Sequence, residues 1–139
     1  MSWTTPKTNW VASDRFNISD YNRIKNNIEW LFDKAEEIMQ TTISHYDMGT
    51  DVTSYEGYRT ADDFNKIEQN IDIINNAVFY KDYGATQRFY ANGAFIRYTE
   101  LNRIESACVG IRDTIENMII GISNKRLAFI LGQYNLVRP

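Results

Sequence analysis

The side chains able to do chemistry are few and far apart along the chain. There is one histidine, His45, and one cysteine, Cys108, in 139 residues. A nucleophilic pair would need folding to bring these two together, and neither has a second partner of its own kind. No zinc-ligand spacing, phosphate-binding glycine loop or dinucleotide fingerprint occurs. The stretch Asp47-Met48-Gly49-Thr50-Asp51 lacks the alternating oxygen ligands of a calcium loop. Glu36-Glu37 and Asp62-Asp63 are adjacent pairs, and neighbours on a helix point about 100° apart, so neither pair is placed to share a proton. A solvated face and a dipole-matched first turn account for them. The expectation is a protein without catalytic, cofactor-binding or metal-ligating residues, and not an enzyme.

Composition agrees with an ordinary globular chain. Hydrophobic residues make up 43% and charged residues 24%, and the formal net charge is −3. The only adjacent basic pair is Lys125-Arg126, so the cationic face expected of a nucleic-acid binder is missing. The longest apolar runs, such as Met118-Ile119-Ile120-Gly121-Ile122, fall far short of the ~20 residues of a membrane span. The opening MSWTTPKTNW is polar and has no apolar signal core, which makes synthesis in a cytoplasm the default expectation. A single cysteine excludes an internal disulfide. Asn17-Ile18-Ser19 fits the glycosylation pattern by chance under that expectation.

What organises the chain is a repeat. SDYNRIKNNIEWL, DDFNKIEQNIDII and TELNRIESACVGI share an aromatic or leucine, then Asn, a basic residue and Ile. Tyr21, Ile24, Ile28, Leu31, Ala35 and Ile38 alternate in steps of three and four. So do Phe64, Ile67, Ile71, Ile74 and Val78, and Leu101, Ile104, Cys108, Ile111, Ile115 and Met118. This is the stripe of helices packed nearly parallel or antiparallel along a seam. Cys108 takes the place of an isoleucine in this pattern and is expected to be a buried thiol. Asn17 and Thr60 stand three residues before Asp20 and Asp63 as helix caps, and Thr99 with Glu100 opens the third copy. The expected helices span about 18–42, 61–79 and 99–123, inside one domain of 1–139 with arms at 1–16 and 127–139.

The repeat periods of 43 and 37 residues admit a helical solenoid. Solenoid units carry two helices, however, and each unit here has one, so a mainly α three-helix bundle is preferred. Within it Ile24, Ile67 and Ile104 belong to the shared core. Asn is a poor helix former, and its threefold use as Asn22, Asn65 and Asn102 points to one structural task. At the edge of the stripe, each amide can donate to and accept from the backbone of an adjoining connector. The neighbouring Arg23, Lys66 and Arg103 can lay their stems over the seam. His45, at the exit of the first helix, can cap its last carbonyls.

The connectors exceed the ~12–15 residues beyond which structureless links become uncommon, and they are rich in rings. Asn92-Gly93 between apolar flanks is a hairpin signal. Two readings stay open for the aromatic residues. They cover the ends of the bundle, or they form a protein-binding surface from Trp3, Trp10, Tyr55, Tyr58, Tyr83, Phe89, Tyr90 and Phe95. The tail from Leu127, with Phe129 and Tyr134, reads as a final strand or as an arm docking on another subunit.

The layout W-x-x-x-D-x-F-N-x-x-D-Y-N-R-I, Trp10 through Ile24, followed by further N-[RK]-I-E copies, resembles small structural proteins of the tails, baseplates and fibres of phages and prophages of Gram-positive bacteria. The chain departs from that pattern at Lys25, where glutamate is usual, and at Ser106-Ala107, which replace the second polar pair. The resemblance implies a virion component without catalysis or cofactors, bound to other virion structural proteins and present in several copies. No binding to nucleic acid or membrane is expected. The alternative from another class is a helical module that binds a small molecule or peptide in an aromatic pocket. An enzyme using Tyr, Asp or Arg is the third.

Overall fold

The computed structural model describes residues 2–54, 60–91, 93 and 95–136, with side chains through residue 122. Three helices form: α1 (Ile18–Met39), α2 (Ala61–Val78) and α3 (Tyr98–Leu136). The first two open in the same way. The Asp20 carboxylate accepts from the Asn17 amide at 2.8 Å and that of Asp63 from the Thr60 amide at 2.9 Å. Both satisfy amides left free at a helix start and place negative charge at its positive end. In α3 the Arg97 carbonyl accepts from Glu100 and Leu101, each at 3.0 Å, so the cap falls at Arg97 rather than Thr99. The three starts then align at Asn17, Thr60 and Arg97, five residues before each repeated asparagine.

All three helices pack against one another. Ile24, Ile67 and Ile104 are each 1% exposed and belong to one core cluster with Ile28, Leu31, Ile71, Ile74, Cys108, Ile111 and Ile115. The helices run parallel. Arg23, one residue after its repeat asparagine, pairs with Glu105, three residues after its own, and Arg103 pairs with Glu68 at the same offsets. Direction follows from successive contacts of the extended segments. Ile43, Gly49 and Val52 meet Glu36, Lys25 and Asn22 of α1, and Tyr46 and Thr60 meet Asn70 and Asp63 of α2, so one segment runs antiparallel to both helices. Gln87 and Phe89 meet Glu68 and Asn65 of α2, while Tyr83 lies on Gly110 ahead of the α3 start at Arg97, which gives α3 the same direction. A parallel arrangement requires each connection to travel back along the bundle, about 33 Å for the 22 residues of α1 at 1.5 Å per residue. That explains the long connectors.

The amino-terminal end is sealed by rings. Phe64 lies 5.7 Å from Phe16, 5.9 Å from Phe89 and 6.1 Å from Phe95, and Tyr21 meets it edge-on at 6.3 Å. At the other end α1 stops as Gln40 turns left-handed (φ 55°). His45 does not cap α1. It stacks on Phe32 at 3.8 Å and its Nδ1 lies 2.8 Å from the Ile43 carbonyl.

Two further expectations are corrected. No strand forms among the described residues: near Asn92-Gly93 the Gly93 amide donates to the Tyr90 carbonyl at 2.9 Å, a turn without flanking ladders. The tail is neither a strand nor an extended arm, because α3 continues unbroken for 39 residues to Leu136. Counted from the repeat asparagines, α1 ends at the level of Ile119. The last 17 residues of α3 therefore project roughly 25 Å beyond it.

Candidate interaction site: three clasped grooves

Each repeated asparagine grips the backbone N–H and C=O of one residue in an extended segment. The Asn22 amide donates to the Val52 carbonyl at 2.8 Å and its oxygen accepts from the Val52 amide at 2.9 Å. Asn65 does the same to Phe89, at 2.9 and 2.8 Å. Asn102 does it to Trp10, at 2.9 and 2.7 Å. A primary amide carries a donor and an acceptor side by side, and an extended residue presents an acceptor and a donor at matching separation. The exchange is the one their position at the edge of the stripe suggests.

A second row lies five residues on. Asn27 clasps Thr4 at 2.8 and 2.9 Å, and Asn70 clasps Tyr46 at 2.9 and 2.8 Å. Six residues separate Thr4 from Trp10 and Tyr46 from Val52. Each extended segment is thus held by the helix that follows it and by the preceding helix of the cycle. Residues 40–54 cover the α1/α2 groove and residues 79–91 the α2/α3 groove. The amino-terminal arm, fastened to α1 and α3, covers the remaining one and closes the ring.

In the third copy Ala107 stands where the second asparagine would be. The residue six before Phe89 is Tyr83, and its ring lies so close to Gly110 that a Cβ there would sit 2.4 Å from the ring. A ring seated on a bare helix backbone replaces the amide clasp. Among the described residues the buried Tyr83 hydroxyl has no hydrogen-bond partner, and that burial pushes its pKa up.

Between the two rows lies a buried charged position. Glu105 accepts from the Trp10 indole Nε1 at 2.5 Å and the Lys7 amide at 3.1 Å, and it takes two bonds from Arg23 at 2.7 and 2.9 Å. Glu68 accepts from the Gln87 amide at 2.8 Å and from Arg103. Burial raises the Glu68 pKa, although the Gln87 amide and the Arg103 guanidinium oppose the rise. The equivalent residue of α1 is Lys25, which is fully buried. Its Nζ bonds Asp51 at 2.9 Å, Asn26 at 2.8 Å and the Gly49 carbonyl at 3.3 Å. Reversing the charge reverses the backbone group received, a carbonyl in place of an amide. Among the described residues the α1/α2 seam consequently has no Arg–Glu pair, and Lys66 turns to Asp62 at 3.8 Å near solvent.

The candidate interface residues divide. Trp10 is 3% exposed and Phe89 is partly buried in the core, while Trp3 lies 5.2 Å from Trp30 with the Arg112 guanidinium over both rings. With Tyr83, these hold segments to helices within the chain. Tyr90 and Phe95 are 68% and 65% exposed, and Phe79, Tyr80 and Tyr98 add to the exposed rings. Tyr80 belongs to the ring-rich second connector, while Phe79 and Tyr98 stand at the end of α2 and the start of α3. Tyr55 and Tyr58 lie outside the described residues, as do the side chains of Phe129 and Tyr134.

A cavity of about 490 Å³ opens beside Ile71, Asn75, Tyr80, Tyr83 and Arg103. Among the groups that line it, Asn75 clasps Lys81 at 2.7 and 3.2 Å, and Thr86 donates to Asp72. Cys108 is buried, and burial holds its thiol up at about 12. Among the described residues no three His, Cys, Asp or Glu are placed to hold a metal ion, and no helix is long and apolar enough to cross a membrane. No family model matches the chain, and neither a curated protein nor a solved structure matches it.

Three outcomes follow from this geometry. Gly110→Ala lowers stability in urea unfolding, because overpacking costs about 1–3 kcal/mol against a helix-propensity gain of roughly 1 kcal/mol. In a Tyr83→Ala background the same change becomes neutral or stabilising, the sign of a direct contact. Arg23→Ala and Arg103→Ala each strand a buried carboxylate and cost about 3–5 kcal/mol, whereas Lys66→Ala stays within about 0.5 kcal/mol. Equal costs at all three would contradict the broken cycle. The bonds from Lys25 and Asn26 hold the Asp51 carboxyl below its ordinary 3.8. Its contribution to stability is therefore present above that value and lost as pH falls through the lowered one. A carboxyl-resolved NMR titration should show Asp51 moving up when Lys25→Met removes the ammonium.

Proposed function

We propose that this chain is a non-enzymatic structural protein of a phage or prophage particle, an assembly or adaptor component of its tail, baseplate or fibre. The observation that carries this reading is the commitment of the polar side chains to clasping. Asn22, Asn27, Asn65, Asn70 and Asn102 spend their amides on backbone, and Glu68 and Glu105 spend their carboxylates on backbone amides and guanidinium groups. Groups fixed in this way stiffen a scaffold and have little freedom to bind and release a substrate.

The particle itself enters through the resemblance of Trp10 to Ile24 and its copies to small virion proteins. Two surfaces suit contacts with neighbours. One is the exposed pair Tyr90 and Phe95, which line one surface cleft, since aromatic residues are favoured at interface cores. The other is the projecting length of α3, where Ile119 and Ile120 are already 41% and 57% exposed. Partners are other virion structural proteins and further copies of the chain, assembled after synthesis in the host cytoplasm.

The test is mass and company. Light scattering on the purified chain, together with capture from a lysate of cells making the particle, should give an oligomer or a co-purifying virion protein. A monomer that captures no virion component removes the reading.

A further inference from the structure

The three extended segments differ in how they are tied. The segments that begin at residues 40 and 79 each lie between two helices, so lifting either from its groove would drag a helix with it. Within the described residues the arm leads into a helix only at its carboxyl end, at the start of α1. Yet it makes the same contacts: Asn102 clasps Trp10, Asn27 clasps Thr4, and Glu105 receives the Lys7 amide and the Trp10 indole. No contact in the α1/α3 groove requires the arm to belong to the chain that owns the helices.

The link between arm and α1 is a small folded hinge. The Asp14 amide donates to the Val11 carbonyl at 3.0 Å, and the Val11 amide to the Asp14 carboxylate at 3.0 Å. Lys7 pairs with Asp14 at 3.1 Å, and Phe16 turns back on Trp10 at 5.9 Å between ring centres. This fold-back seats the arm on its own bundle. Opening it gives up one turn and one partly exposed ion pair, after which the arm can reach a neighbour.

We propose that the α1/α3 groove is an exchange site that takes the amino-terminal arm of a second copy of this chain, contact for contact, in place of the resident arm. Exchange replaces each bond by an identical one, so the balance is set by the hinge and by concentration. The resident arm competes at an effective concentration in the millimolar range, so the isolated chain keeps its own arm and crowded copies trade. The proposal deepens the assembly reading by naming one joint. It is read on the purified chain alone, so it can fail while virion partners bind, or hold while they do not.

The probe is a fluorescein-labelled peptide of residues 2–16, titrated into the full chain carrying Trp10→Ala. Exchange predicts saturable binding by anisotropy and a higher Tm for that variant. It also predicts at least tenfold weaker binding to the unsubstituted chain, and at least tenfold weaker binding of a peptide that itself carries Trp10→Ala. A folded Trp10→Ala chain that ignores the peptide overturns the proposal. If that variant does not fold, deletion of Ala12 and Ser13 decides, because a shortened hinge cannot turn the arm back. Light scattering should then give multiples of the chain mass that fall to the monomer with excess peptide, and a monomer without peptide overturns the proposal.

Discussion

An asparagine side chain holding both polar atoms of one extended residue is the interaction on which this molecule depends. Parallel helices cannot be joined by tight turns, so each connection must cross back over the bundle as extended chain. Such chain carries peptide groups with no sheet to satisfy them, and left buried they would cost about 1–3 kcal/mol each. The helices supply the partners from their own flanks. The stripe of Ile and Leu closes the interior, and the clasps let irregular backbone lie over the seams without a β-ladder.

This constraint explains why polar residues are so well buried. Asn27, Asn70, Glu68, Glu105 and Lys25 are all 1% exposed or less, yet each has a backbone or charged partner. It also explains the rings. Trp10 and Phe89 flank the clasped peptide groups and bury large area around them, keeping water from competing for the amides. Stability and geometry are therefore shared between an apolar centre and a polar collar. Loss of either leaves the other exposed.

Much of this could be read from residue spacing. The three stripes, the starts at Asn17 and Thr60 and the exchange made by Asn22, Asn65 and Asn102 follow from helix periodicity and amide chemistry. Other features were hidden for physical reasons. Leu127 to Leu131 is a short apolar run between Lys125-Arg126 and Gly132, and such runs do not distinguish strand from helix. Asn92-Gly93 has hairpin chemistry, but its flanks are spent on clasps and rings. Trp3, Trp10, Tyr83 and Phe89 look like interface aromatics in sequence. Only the parallel arrangement, which needs long return segments, shows that they fasten those segments inward. Ala107 and Gly110 carry no signal until Tyr83 is seen against them.

Three nearly interchangeable ribbons and three nearly interchangeable furrows raise a matching problem during folding. The irregular position at Lys25 supplies an address. Residues 40–54 laid over α1 and α3 would bring Asp51 and the Gly49 carbonyl towards Glu105, acceptor against acceptor. The arm laid over α1 and α2 would aim its indole N–H at an ammonium, donor against donor. What looks like a blemish in the triplication makes the wrong pairings repel, so the chain can tell its own copies apart.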